Sequence, residues 1–171
     1  MKPLSRKLKI YSGLVLLLSS VCLLFWISSK RKSPDEIFAS NFEPYEAPSN
    51  FRGSDLTTMD NDYILGLIKY AQGNYPLAIS LFQQTVEKDA LNYSARFLLG
   101  ISFMAQKDFD NAETILKQMV EDSSHLFQDQ AKWYLGLIYL SDENESNDGL
   151  ASVLFDKIEN GGLREKVKSI R

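Results

Sequence analysis

Gly66, Gly100 and Gly136 each close an aromatic-x-Leu-Gly frame: Tyr63-Ile64-Leu65-Gly66, Phe97-Leu98-Leu99-Gly100 and Trp133-Tyr134-Leu135-Gly136. The first two frames keep a 34-residue offset at position after position, from Gly66 to Gly100, Tyr75 to Phe109, Ala78 to Ala112 and Phe82 to Leu116. That period accommodates two helices and two turns, so the expected fold is all-α, a solenoid of stacked hairpins. Ile64, Leu65 and Ile68, then Ala78, Ile79, Phe82 and Val86, have helical spacing on either side of a Gln72-Gly73-Asn74 turn. One such hairpin cannot bury its own apolar face, and stacking of neighbours completes the core. Small residues at Gly66/Ala78 and Gly100/Ala112 fit the close approach of two backbones, with Phe82 and Leu116 filling the space between units.

These residues resemble the tetratricopeptide repeat family, whose motif has Leu-Gly on a first helix, an aromatic soon after, and Ala then an aromatic on the second. Leu65, Gly66, Tyr75, Ala78 and Phe82 supply the first copy, and Leu99, Gly100, Phe103, Phe109, Ala112 and Leu116 the second. The third has Leu135, Gly136 and Tyr139, then a longer turn over Ser141 to Asn147 before Ala151, Phe155 and Ile158. The expected repeats are therefore 58–91, 92–125 and 126–161, followed by a C-terminal capping segment at 162–171. The family's first tryptophan is replaced by Asp62, Arg96 and Lys132, and its closing proline by Ala90 and Ser124.

Ile10 to Ile27 is an eighteen-residue run without a charge, bracketed by Lys2, Arg6, Lys7 and Lys9 and by Lys30, Arg31 and Lys32. At about 1.5 Å per residue it reaches roughly 27 Å, enough for a thin hydrocarbon layer. Tyr11 and Trp26 near its ends suit the headgroup boundary. The reading is an uncleaved membrane anchor over residues 1–32, with lipid contact over about 10–29. A cleaved signal peptide is the competitor, opposed by the length of the run and by the poor cleavage site Ile27-Ser28-Ser29. Four basic side chains before the span against three after it place the amino terminus in the cytoplasm and the repeats outside, in the periplasm if the cell is Gram-negative.

The net charge of −3 hides an asymmetry. Residues 1–32 hold seven Lys and Arg and no acid, leaving 12 basic against 22 acidic groups in the remainder, which argues against nucleic acid. Cys22, the one cysteine, lies in the apolar run, so neither a disulfide framework nor a thiolate metal site is expected. His125, the one histidine, reads as a solvated turn residue beside Asp122, Ser123 and Ser124 rather than as a catalytic base. The acidic stretch Asp142 to Gly149 lacks the glycine and terminal carboxylate of a calcium-binding helix-loop-helix loop, and no phosphate loop is present. No cofactor, no metal and no catalysis are expected.

Residues 33–57 read as a linker with one short helix through about Ser40, started by the capping pattern Ser33-Pro34-Asp35-Glu36. A spacer made for reach does not need Phe42, Tyr45 and Phe51, and docking of residues 42–51 on the repeats is expected.

The resemblance implies that first helices line a concave face. The positions it assigns there are Tyr63, Phe97 and Trp133, then Leu67, Ile101 and Leu137, then Tyr70, Met104 and Leu140, giving an apolar, aromatic groove. The alternative is that these nine residues pack between adjacent first helices. The functional expectation is a membrane-tethered adaptor that binds an apolar or aromatic peptide segment of a protein partner, with residues 42–51 as an internal occupant. A structural subunit or assembly factor of an envelope complex is the second reading.

Overall fold

The structure, a computed structural model, describes residues 19–20, 33–47, 61–122, 124–142 and 145–170. Among them, eight α-helices follow one another: α1 Pro34–Asn41, α2 Asn61–Ala71, α3 Tyr75–Lys88, α4 Tyr93–Ala105, α5 Phe109–Glu121, α6 Gln128–Leu140, α7 Glu145–Asp156 and α8 Gly161–Ile170. Each helix from α2 to α7 packs on the next, making three hairpins, while α1 and α8 both pack on α6. The expected span over residues 10–29 lies outside the described residues, Ser19 and Ser20 excepted. No helix among the described residues is long and apolar enough to cross a membrane.

Local chemistry starts the helices where the repeat requires them. Asn74, Asn92 and Asp108 occupy N-caps, and their side-chain oxygens accept the N–H groups of Leu77, Ala95 and Asn111 at 3.4, 3.0 and 3.3 Å. Each satisfies one of the N–H groups that a helix start leaves without an intrahelical partner. Ahead of α1, the Ser33 hydroxyl accepts from the Glu36 N–H at 3.2 Å while the Ser33 N–H donates to the Glu36 carboxylate at 3.0 Å, a reciprocal capping box.

The turns of the first two hairpins use the same left-handed residue, Gly73 at φ 72° and Lys107 at φ 58°. Lysine bears a Cβ strain there that glycine does not. Its ion pair with Asp35, at 3.3 Å between exposed side chains, contributes little. Lys107→Gly is therefore expected to raise stability by about 0.5–1 kcal/mol, read as a higher midpoint in urea.

The three frame glycines sit where the second helix presses closest. A Cβ on Gly136 would lie within 3.0 Å of three Phe155 ring atoms, one on Gly66 would lie 2.7 Å from the Phe82 ring, and one on Gly100 would meet Leu116 at 3.2 Å. Alanine gains about 1 kcal/mol of helix propensity over glycine, whereas overpacking a rigid neighbour costs about 1–3 kcal/mol. The balance predicts that Gly136→Ala is the most destabilising, Gly66→Ala intermediate and Gly100→Ala near neutral. Chemical denaturation of the three variants checks the ranking.

Two expectations are corrected. On α2 the buried stripe is Tyr63, Gly66, Leu67 and Tyr70, whereas Leu65 and Ile68 are 42% and 44% exposed. The corresponding Leu99 and Ser102 on α4 are buried, because α4 follows α3 in the stack while no described hairpin precedes α2. The longer turn expected over Ser141 to Asn147 is shorter in the structure, since α7 begins at Glu145. Asp148 thereby falls in the first helical turn, where the helix dipole favours a carboxylate.

Candidate binding groove

Residues 34–47 lie against the first helices of the three hairpins, and aromatic rings set their path. Phe38, buried on α1, stacks on Phe42 with ring centroids 4.7 Å apart and meets Phe109 edge-on at 5.0 Å. Phe42 stands edge-on to Tyr134 of α6 at 6.1 Å. Tyr45 stands edge-on to Phe97 of α4 at 5.1 Å and to Phe127 at 6.2 Å. The edge-on contacts place a ring's positive edge against its neighbour's negative face.

Two hydroxyls fix the backbone of this strap. Tyr134 donates to the carbonyl of Glu43 and Tyr70 to the carbonyl of Tyr45, both at 2.7 Å. Those carbonyls are two residues apart, on either side of Pro44, in a segment that belongs to no helix. Burial, reinforced by nearby tyrosines or by Glu43, pushes both hydroxyls above the usual tyrosine range and keeps them as donors. Lys166 of α8 pairs with the Glu43 carboxylate at 3.1 Å on the exposed side.

Eight of the nine residues assigned to an open groove are buried: Tyr63, Leu67, Tyr70, Phe97, Ile101, Met104, Trp133 and Leu137. Leu140 is half-buried against the core. Tyr63 reaches from α2 to α4, its hydroxyl 2.7 Å from the Ser94 hydroxyl. The Phe97 ring stacks on Phe127 at 4.9 Å. Trp133 packs on Phe155 of α7 with centroids 5.7 Å apart. Of the nine, Phe97 and Tyr70 touch the strap directly through the contacts above, and Trp133 borders the cleft beside it. The readings of these residues as helix packing and as groove lining thus meet in the same side chains.

Sequence reasoning missed Tyr134, Phe127 and Lys166. Tyr134 follows Trp133 by one position, about 100° around the helix, and Lys166 sits on a helix whose placement nothing in the motif defines. Phe42 and Tyr45 were legible as aromatic residues in a segment that otherwise looks like a spacer, while residues 48–51 of the expected docking stretch, Phe51 included, lie outside the described residues.

His125 is not the solvated turn residue expected. Its Nδ1 accepts the Phe127 N–H at 3.1 Å, so Nε2 carries the proton and donates to the Met119 carbonyl at 2.9 Å. The ring also packs on Tyr93 at 4.8 Å. Ser124 donates instead to Asp122 at 2.6 Å. Hydrogen bonds from the Ser124 hydroxyl and N–H, with one from Tyr93, hold the Asp122 carboxyl down to about 2. With both ring nitrogens bound to backbone groups, histidine and serine do not form a base and nucleophile pair.

A family model described as tetratricopeptide repeat matches residues 63–126. Comparison with curated proteins finds no match to the chain.

Proposed function

We propose that the chain, whose residues 63–126 match the tetratricopeptide repeat model, is a protein-interaction scaffold of that kind and acts as a membrane-tethered adaptor. It holds an aromatic peptide segment across its first helices. The observation that carries this reading is the pair of tyrosine hydroxyls, Tyr134 and Tyr70, which donate to carbonyls two residues apart in the strap. A surface that grips a backbone in this manner is built for polypeptide, with rings supplying side-chain preference. The strap is the resting occupant, and the apolar run Ile10 to Ile27 anchors the chain, with the repeats outside the cytoplasm.

Exchanging residues 1–32 for an unrelated anchor tests the assignment. An adaptor retains its cross-linked partner after the exchange, whereas a structural subunit held by its own span loses it. Labelling Ser146→Cys in a Cys22→Ser background from each side of the membrane tests sidedness. Labelling from outside the cell membrane is expected, and labelling only after lysis overturns the orientation.

A further inference from the structure

We propose that the strap is an internal copy of the ligand, and that the groove takes an extended segment of another protein with aromatic residues three apart and an acid directly after the first. This rests on the adaptor reading and specifies its partner. The pattern is that of Phe42, Glu43 and Tyr45. Phe42 meets Tyr134, Glu43 pairs with Lys166, and Tyr45 enters the bed made by Phe97 and Phe127. The hydroxyls of Tyr134 and Tyr70 set the register, because they hold the carbonyls of the acid and of the second aromatic.

The strap fills its bed only in part. Phe42 and Tyr45 remain half-buried. A cleft of about 510 Å³ opens between residues 43–46, α6 and α8. The side-chain oxygen of Gln130, which borders that cleft, is buried without a hydrogen-bond partner among the described residues. A buried unpaired acceptor is costly and favours a group that brings an N–H to it. A competing segment that extends a side chain into the cleft gains contacts the strap leaves unmade. It needs that gain, because a tethered strap acts at an effective concentration on the order of millimolar.

The test uses the full chain in detergent micelles and a fluorescent peptide copying residues 41–47. Fluorescence anisotropy compares wild type with the Phe42→Ala/Tyr45→Ala variant, whose strap no longer competes. The peptide is expected to bind the double variant at least about tenfold more tightly than wild type. Adding Tyr134→Phe should weaken that binding by about fivefold, the worth of one hydroxyl-to-carbonyl bond. Reversing the acid in the peptide, Glu43→Lys, should weaken it by about threefold. A scrambled peptide that binds the double variant as tightly as the parent overturns the ligand pattern but leaves the adaptor reading standing. If no aromatic peptide binds a double variant that still melts cooperatively, both fall. Where the double variant does not melt cooperatively, Tyr45→Ala alone replaces it and the same outcomes decide.

Discussion

Phe97→Ala is expected to lower the stability of the repeat domain by about 3–5 kcal/mol, the range for removing a large, fully enclosed aromatic. The ring has no exposed surface and contacts Tyr45, Phe127 and Tyr134. Its loss opens a void where the strap, the approach to α6 and α6 itself converge, and main-chain constraints on three segments limit relaxation. Urea unfolding followed by circular dichroism checks the size of the loss. Tyr45→Ala provides the contrast, because Tyr45 is only half-buried and lies edge-on against Phe97 and Phe127 without being enclosed by them. It should cost clearly less and leave the hairpins cooperative. Equal losses would mean that the strap is an integral part of the core. A binding defect in Phe97→Ala therefore says nothing about partner contact until folding has been measured, whereas Tyr45→Ala separates the two.

The hairpins were legible because the frame pairs complementary sizes at a fixed distance: Gly66 faces Phe82, Gly100 faces Leu116 and Gly136 faces Phe155. Few folds besides stacked helical hairpins call for small and large residues recurring in this way. Which side of each first helix meets solvent was less legible. Leu65 and Leu99 look identical in the sequence, yet one is exposed and the other buried, since exposure depends on whether a hairpin precedes the helix. The strap shows a different limit. Phe42 and Tyr45 announced themselves as too aromatic for a spacer, but their bed is assembled from Phe97, Phe127 and Tyr134, residues far apart in the chain. Only packing selects Tyr134 over its neighbour Trp133 as the ring that faces Phe42. The nine motif positions left groove lining and packing between first helices as alternatives; eight of the nine are buried, and two of them, Phe97 and Tyr70, also contact the strap.

The end of the stack depends on one carboxylate, and its removal should have the second-largest effect. Asp129 accepts the Lys132 ammonium at 2.9 Å and the backbone N–H groups of Glu159 and Asn160 at 3.0 and 2.8 Å. It thereby ties the first turn of α6 to the segment leading into α8. Lys132 is itself buried, with its second hydrogen bond going to the Lys157 carbonyl at 3.0 Å. Asp129→Ala leaves an enclosed ammonium with one neutral partner and hands the two exposed N–H groups to water, an expected loss of about 3 kcal/mol, most of it from the ammonium. Asp129→Asn keeps an acceptor and should lose less. Burial works against ionisation of Asp129, but the hydrogen bonds from Lys132, Asn160 and Glu159 outweigh it and hold the carboxyl below its ordinary value. The folded state thus binds the proton less readily than the unfolded chain. This contribution is complete above the unfolded carboxyl's pKa of about 4 and is lost as pH falls from there through the depressed folded value. Wild type should therefore lose stability on acidification more steeply than Asp129→Asn, so that the two curves converge at low pH. Parallel curves would show that the carboxylate's charge is not what holds α6 to α8.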